Sequence, residues 1–471
     1  MSAGILGRAV AAVRETTSVA LRTVVYTLAT RGFVWPWPQL AARNIVALDG
    51  SRLPDDDRPL IIALTPERFR GDLAVLEQTR TVRVARLRHP WQGRVFRLFC
   101  EVTEPPDGKI RRRSLPTVAM ANFLRSFHRH ARVDAFLSAC IWYTSDIAWG
   151  SQSADCGVPY IVAHRENLKT EPRQRDMVIE AAEKVGRFSG FGIVVHNDAM
   201  RQTFIDCGFA APEQVIIGGA LRMDQWVRRV RAAAPLPANP ARRRKVTFFS
   251  FTTGQGLLDL GISPFEQRLF LGWFRLFELS HVAFAALAAR RPDIDFIIKP
   301  KWDIHWVPLI EKALQQNGLE AAKIPNLKIS SKFDAHQLIL ESDVVCAFGS
   351  TTLLEAGIAG KPVIVPHFEE PLRSPYKERV ALRAHYDLFD VAESAEAFAD
   401  RIAYRLEHPE VAAATVDGCW DAFGEWVSDV TGKATERYVA LLQTASEARR
   451  AHRDVGVGSG ARPVTGVQLS R

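Results

Sequence analysis

Short apolar runs alternate with amphipathic stretches through most of the 471-residue chain. From about residue 58, the runs Leu60–Leu64, Val82–Leu87, Asp134–Cys140, Pro159–Ala163, Phe191–His196 and Gln214–Ile217 read as strands, the second of them edge-like. Between them, Ser114–Arg132, Thr144–Cys156, Arg173–Lys184 and Ala199–Cys207 have helical periodicity. Continuous apolar strands alternating with helices predict a parallel sheet covered on both faces. The rhythm breaks at 230–244, which is rich in Pro and Ala and then in Arg, and this stretch reads as an interdomain linker and hinge. It restarts with strands at Val246–Phe251, Asp295–Lys299, Asn326–Ser330, Val344–Ala347 and Pro362–Val365. The intervening helices are Phe265–Arg290, Ile304–Gln316, Phe333–Leu340 and Thr351–Ala359, and 393–450 reads as helical. The expectation is an α/β chain of two parallel-sheet domains, 41–229 and 245–450, facing a cleft. An amphipathic segment, 1–40, precedes them, and a Gly/Ser/Arg-rich tail, 451–471, is expected to be disordered. Ligands of such sheets bind beyond the C-terminal strand ends, near a topological switch point. The cleft is therefore the expected place for chemistry.

Charge changes this picture little. The formal net charge is +9, but the arginines are dispersed, and their clusters lack the interleaved aromatics of a single-strand stacking platform. No nucleic-acid partner is expected. Six cysteines without C-x-x-C or histidine-paired spacing suit a reduced, cytoplasmic protein. No run approaches the ~18 apolar residues that span a bilayer, and the N-terminus lacks a secretory layout. Residues 1–40 mix arginines with apolar residues and end in Phe33-Val-Trp-Pro-Trp-Pro. Two readings stay open for them: a helix lying in the inner membrane face, or a helix packed on the first domain.

The most informative segment is Ser342-Asp-Val-Val-Cys-Ala-Phe-Gly-Ser-Thr-Thr-Leu-Leu-Glu-Ala-Gly-Ile-Ala-Gly-Lys-Pro-Val-Ile-Val-Pro366. A buried strand ends at Phe348, Gly349 makes the turn, and Ser350, Thr351 and Thr352 open the next helix. Unpaired N–H groups and the helix dipole there favour an anion such as a diphosphate. Glu355, one turn on, can accept hydroxyls of a ribose or sugar diol. Equally, Ser and Thr are ordinary helix caps.

This string resembles the donor-binding half of GT-B glycosyltransferases over about 25 residues. Phe296-Ile-Ile-Lys-Pro-Lys301 resembles the Lys-Pro element of capsule and CDP-glycerol-type transferases. Pro159-Tyr-Ile-Val-Ala-His-Arg-Glu-Asn167 and Val215-Ile-Ile-Gly-Gly-Ala-Leu-Arg-Met-Asp224 are similar to segments of bacterial surface-carbohydrate biosynthesis proteins. The resemblance implies two Rossmann-like domains, a nucleotide-activated donor, a glycan or lipid-linked acceptor, and no cofactor. Retaining GT-B enzymes pair the Leu-Glu-Ala glutamate with another eight positions earlier; Ala347 stands there, which points to an inverting enzyme. The Asp-Tyr-Ser-Ser string of CDP-glycerol polymerases is replaced by Ala-Phe-Gly-Ser. A UDP-sugar 2-epimerase would carry Gly-Gly and Glu-Glu in this loop, where this chain has one of each.

Inverting transfer needs a base for the acceptor proton and cations or dipoles for the leaving phosphate. Lys299, Lys301 and the helix start at Gly349–Thr352 are the candidates for the second role, with Arg222, His367 and Glu369 as further donor-side candidates. For the base, Glu67, Glu166, His164 and His196 stand at strand C-termini of the first domain. Asp146, after a tyrosine-bearing turn, is a further candidate, and Arg165 could orient an acidic acceptor. No metal is implied, because Asp55–Asp57 is an acidic turn and Asp293-Ile-Asp295 enters a strand. Three functions remain open: a surface-polysaccharide transferase, a sugar-nucleotide epimerase, and a non-catalytic membrane-associated scaffold.

Overall fold

The computed structural model describes residues 20–104, 109–112, 115–232, 242–253, 272–373 and 376–455. Residues 1–19 of the N-terminal segment, 233–241 of the expected linker, 265–271 of an expected helix and 456–471 of the expected tail lie outside them. The first domain contains β1 (Ile45–Ala47), β2 (Leu60–Ala63), β3 (Arg83–Leu87), β4 (Glu101–Glu104), β5 (Lys109–Arg112), β6 (Ala135–Ser138), β7 (Tyr160–Ala163), β8 (Gly192–Val195) and β9 (Val215–Ile217). Its seven-stranded sheet runs β1-β3-β2-β6-β7-β8-β9, parallel except for β1, while β4 and β5 form a separate hairpin. The second domain contains β10 (Lys245–Phe249), β11 (Asp295–Lys299), β12 (Leu327–Ile329), β13 (Val344–Ala347), β14 (Val363–Pro366) and β15 (Asp390–Ala392). They form a parallel six-stranded sheet in the order β12-β11-β10-β13-β14-β15. The expected α/β architecture of two parallel-dominated sheets is what the structure has.

The strand β3, expected at an edge, is internal because β1 pairs outside it. Its edge-like arginines are absorbed locally: Arg83 Nε donates to the Arg58 carbonyl and Arg86 Nε to that of Leu48. The central strands are apolar on both sides because both faces are covered. Ile62, Phe136, Val162 and Ile193 point into one core, packed by helices Val118–His130 and Thr144–Ala154. Ile61, Ala63, Leu137 and Ile161 point into the other, with Leu73 and Leu76 of helix Asp72–Gln78.

That second face needs more cover, and the chain supplies it from its far end. Helix Ala434–Val455 brings Tyr438, Leu441, Leu442 and Ala445 onto the first sheet. Arg450 and Arg453 donate there to the Asp57 and Val133 carbonyls. The last helix therefore belongs to the first domain, not to the second as its position in the chain suggested. Conversely, helix Leu221–Ala232 gives Met223, Trp226 and Val227 to the core of the second domain. The chain thus crosses outward at Gly219–Leu221, ahead of the expected linker and hinge at 230–244, and returns at Val427–Ala434. The crossings are joined: Ala220 N–H donates to Ser428 Oγ at 2.8 Å, and the Asp224 carboxylate accepts the Ala434 and Thr435 N–H groups at 2.9 and 2.6 Å. Gly219 has φ +77°, and a Cβ there would stand 2.9 Å from Ser428 Oγ, so only glycine fits this joint.

Candidate functional site

Strand order reverses between β2 and β6 in the first sheet, and between β10 and β13 in the second. These are the crevices where such sheets hold ligands.

At the first crevice, Leu64 and Thr65 follow β2, and Thr65 takes a left-handed φ of 47°. A closed polar network fixes it. Asp146 Oδ1 accepts the Thr65 hydroxyl at 2.7 Å and the Gln92 amide at 2.8 Å, and Gln92 Oε1 accepts the Thr65 N–H at 3.0 Å. Asp146 is fully buried, and its Oδ2 has no partner. Burial raises its carboxyl to about 6, against the lowering effect of those two hydrogen bonds. From this anchored turn the chain presents Glu67, Arg68 and Arg70. Arg68 covers the Tyr143 ring, and Arg70, itself at φ 50°, lies 5.2 Å from the Trp302 ring centroid of the opposite domain. Arg165, from the end of β7, pairs with Asp72 at 2.8 Å and donates to the Arg68 carbonyl. It pins the arginine turn instead of reaching into the cleft as a separate contact.

Glu166 follows Arg165 and is exposed to the cleft. Enclosure by the two domains raises its carboxyl, but the cations Lys301, Lys169 and Arg165 outweigh this and hold it below the ordinary glutamate value. Lys301 acts on it electrostatically from the second domain, with Nζ 5.3 Å from the Trp302 centroid. Desolvation, then repulsion from Arg70, Arg165 and Arg222, pushes its ammonium down to about 8, with Glu166 opposing. Arg222 starts the crossing helix and acts on Lys301, Arg70 and His196, and also on Glu355 in the second crevice. A carboxylate and cations from four separate segments therefore meet where the domains face each other.

At the second crevice, Gly349 turns with φ +55°, and helix Thr352–Ile358 follows. Ser350 Oγ and Thr352 Oγ1 lie 3.1 Å apart. Glu355 is buried; its Oε1 accepts the Thr351 hydroxyl at 2.6 Å, and its Oε2 lies 3.2 Å from His336 Nε2. Burial raises this carboxyl, and His336, Arg222 and Thr351 together bring it below its ordinary value. The His336 ring is stacked on Trp226 of the crossing helix at 4.4 Å. Both Glu355 oxygens thus already hold a protein partner, and each keeps further lone-pair capacity for a ligand diol.

The remaining candidates separate. Lys299 Nζ lies 3.5 Å from the Ser331 carbonyl, beside the loop after β12, whereas Lys301 serves the cleft. His164 is fully buried between Trp142 and Phe204, with Nδ1 3.6 Å from Cys140 Sγ. Desolvation lowers it to about 4, so it is neutral and has no contact with the cleft solvent. The expectation of His164 as a base does not fit this position. His196 is buried too, and burial with Arg222 and Arg165 holds it well below the usual histidine value. It lines a separate cavity of about 700 Å³ with Asn197, Asp198, Glu425 and Arg437. Glu67 is exposed on the turn that carries Arg70 and faces Asp146. His367 is packed edge-on to Tyr386, and burial and Arg383 lower its pKa. Glu369, at φ 58°, pairs with Arg373 at 3.1 Å. Neighbouring Glu370 caps helix Phe274–Arg290, accepting the Arg275 and Leu276 N–H groups. Among the described residues no cluster of three or more His, Cys, Asp or Glu side chains could hold a metal, and no helix is long and apolar enough to cross a membrane.

No family model and no curated protein matches the chain. Solved structures do. A UDP-GlcNAc 2-epimerase from Neisseria meningitidis bound to UDP-GlcNAc aligns over 82% of this chain and 99% of its own, at 13% identity and a TM-score of 0.45. The wall teichoic acid polymerase TagF aligns over 93% and 99%, at 11% identity and a TM-score of 0.49. A Staphylococcus aureus MnaA structure with UDP aligns over 87% and 99%, at 14% identity and a TM-score of 0.44. Likeness at this level says nothing of substrate.

Proposed function

We propose that this chain is a transferase that moves a sugar, or a related glycerol-phosphate unit, from a nucleotide-activated donor to an acceptor hydroxyl in surface-polysaccharide assembly. The observation that carries the reading is the meeting of Glu166 with Arg70, Arg222 and Lys301 in the cleft, beside the Gly349–Glu355 crevice. The donor diphosphate lies among the three cations, with its nucleoside toward Ser350, Thr351 and Glu355. With a sugar donor, Glu166 takes the acceptor proton as the acceptor oxygen bonds to the anomeric carbon. The bond from that carbon to the phosphate oxygen breaks, and the nucleoside diphosphate leaves with the electron pair, its charge offset by the cations. A bound diphosphate also neutralises the groups that hold Glu166 low, so its basicity rises when the donor is in place.

The test is a thermal-shift screen against UDP, GDP, CDP, CMP and their sugar conjugates. A ligand that binds only the folded chain adds roughly 2.7 kcal/mol at 100-fold over its Kd. One nucleotide class should shift the melt and lose that shift in Arg222→Met. No shift with any nucleotide would defeat the reading and favour a non-catalytic scaffold. Release of a 2-epimer from the hit without any acceptor would instead make the chain an epimerase.

A further inference from the structure

The N-terminal corner of the first domain carries an apolar face that, among the described residues, stays largely exposed. A helix over 20–30 turns Ala29, Val25 and Tyr26 into the core. Its other side shows Leu21, Val24 and Leu28 to solvent, at the i, i+3, i+7 spacing of one helical stripe. Beyond it Phe33 is 70% and Trp35 78% exposed. The hydroxyls of Thr27 and Thr30 bond to carbonyls of the same helix at 2.9 and 2.7 Å, which lowers the polarity of its flank. Asn122 donates to the Ala29 carbonyl at 2.7 Å and so places helix Val118–His130 alongside, with Val118 59% exposed.

Charge identifies the partner. The residues 20–44 and the neighbouring helices Trp91–Phe99 and Val118–His130 contain seven arginines, Arg22, Arg31, Arg43, Arg94, Arg97, Arg125 and Arg129, and not one carboxylate. The rest of the chain is nearly balanced: these seven are among 61 basic residues set against 52 acidic ones, which leaves 54 basic residues to 52 acidic ones elsewhere. A protein partner would cover the apolar stripe but leave this one-sided charge unmatched unless it were itself strongly acidic. An anionic bilayer meets both: acyl chains take Leu21, Val24 and Leu28, the headgroup layer takes Phe33 and Trp35, and lipid phosphates take the arginines. We propose that this corner docks the protein on an anionic lipid surface. The proposal stands apart from the transfer reading, since no cleft residue enters it.

The experiment is co-sedimentation of the full chain with phosphatidylglycerol-containing vesicles and with pure phosphatidylcholine vesicles, at low and high salt. The chain should sediment with the anionic vesicles, less so at high salt, and remain in solution with the zwitterionic ones. The variant Val24→Ser/Leu28→Ser/Trp35→Ser should lose about tenfold or more in partitioning while melting at the wild-type temperature. Arg31→Gln/Arg125→Gln/Arg129→Gln should lose the preference for anionic lipid, and this variant serves if the first one misfolds. A wild-type chain that stays in solution with every vesicle overturns the proposal. So does a chain that dimerises through this face, seen as a dimer in sedimentation equilibrium that the apolar variant abolishes without lipid binding.

Discussion

At the switch point of the first sheet the polar groups are charged and the turn is strained: Asp146 without a partner on Oδ2, Thr65 at positive φ, and an arginine turn held by Arg165. At that of the second sheet, hydroxyls and a carboxylate satisfy one another: Ser350 with Thr352, Thr351 and His336 with Glu355. The second crevice is a finished surface that a neutral or singly hydrogen-bonding group can enter without rearrangement. The first leaves an enclosed carboxyl incompletely bonded and several cations close together, an arrangement that only a bound anion or a change of protonation relieves. In the proposed reaction this divides the labour: the second sheet recognises, the first reacts.

The sharpest way to break that division is Glu166→Gln. Turnover should fall by about 10²–10⁴-fold while donor binding, measured by calorimetry, holds or tightens, because a negative charge leaves the cation cluster. Equal loss of binding and turnover would place Glu166 in recognition and erase the contrast.

The next effect is on stability. Asp146 has its folded value near 6, above the ordinary 3.8. Its contribution is therefore complete below about 3.8 and is lost as pH rises through 6. Relative to Asp146→Asn, the wild type should lose about 3 kcal/mol between roughly pH 4 and 7, read from urea unfolding at each pH. Parallel profiles would show that Asp146 is not the stressed group of the first crevice. Glu355, whose value is lowered, should show the opposite slope: its contribution is present above the unfolded value and is lost only as acid passes below it.

The smallest effect concerns Lys301. With its ammonium near 8, donor affinity should drop about tenfold from pH 7 to pH 9. Lys301→Arg should flatten that fall, and Lys301→Met should bind weakly at both values. An unchanged slope in Lys301→Arg would assign the titration to another group.

How much of this was legible in the sequence depends on the range of the forces involved. Runs such as Val344–Ala347 and Asp295–Lys299 show as strands because burial on both faces leaves no polar alternation to confuse them. The strands β1 and β15 escaped notice: each has three residues, mostly half-buried. The final helix was visible as a helix, but an amphipathic face declares that it is covered, not by what. The Gly349–Glu355 segment could be read because its partners are neighbours in sequence. The place of Arg70, set by a left-handed turn that Asp146 and Gln92 hold from 81 and 27 residues beyond Thr65, is a purely tertiary fact. The histidines misled because a strand-end position predicts proximity to the cleft but not which way a ring is turned.

The double crossing has a mechanical consequence. A single tether lets one body swivel on another. Here two lengths of chain pass between the lobes side by side, bonded through Ala220 and Ser428 and again through Asp224 and the start of the last helix. Such a paired strap constrains twisting of one lobe on the other more than a single tether would. It also means that the lobes are not separable cargo: a cut anywhere between residues 232 and 245 leaves the first sheet without the helix that roofs its second face. The molecule is two rooms built with one shared beam.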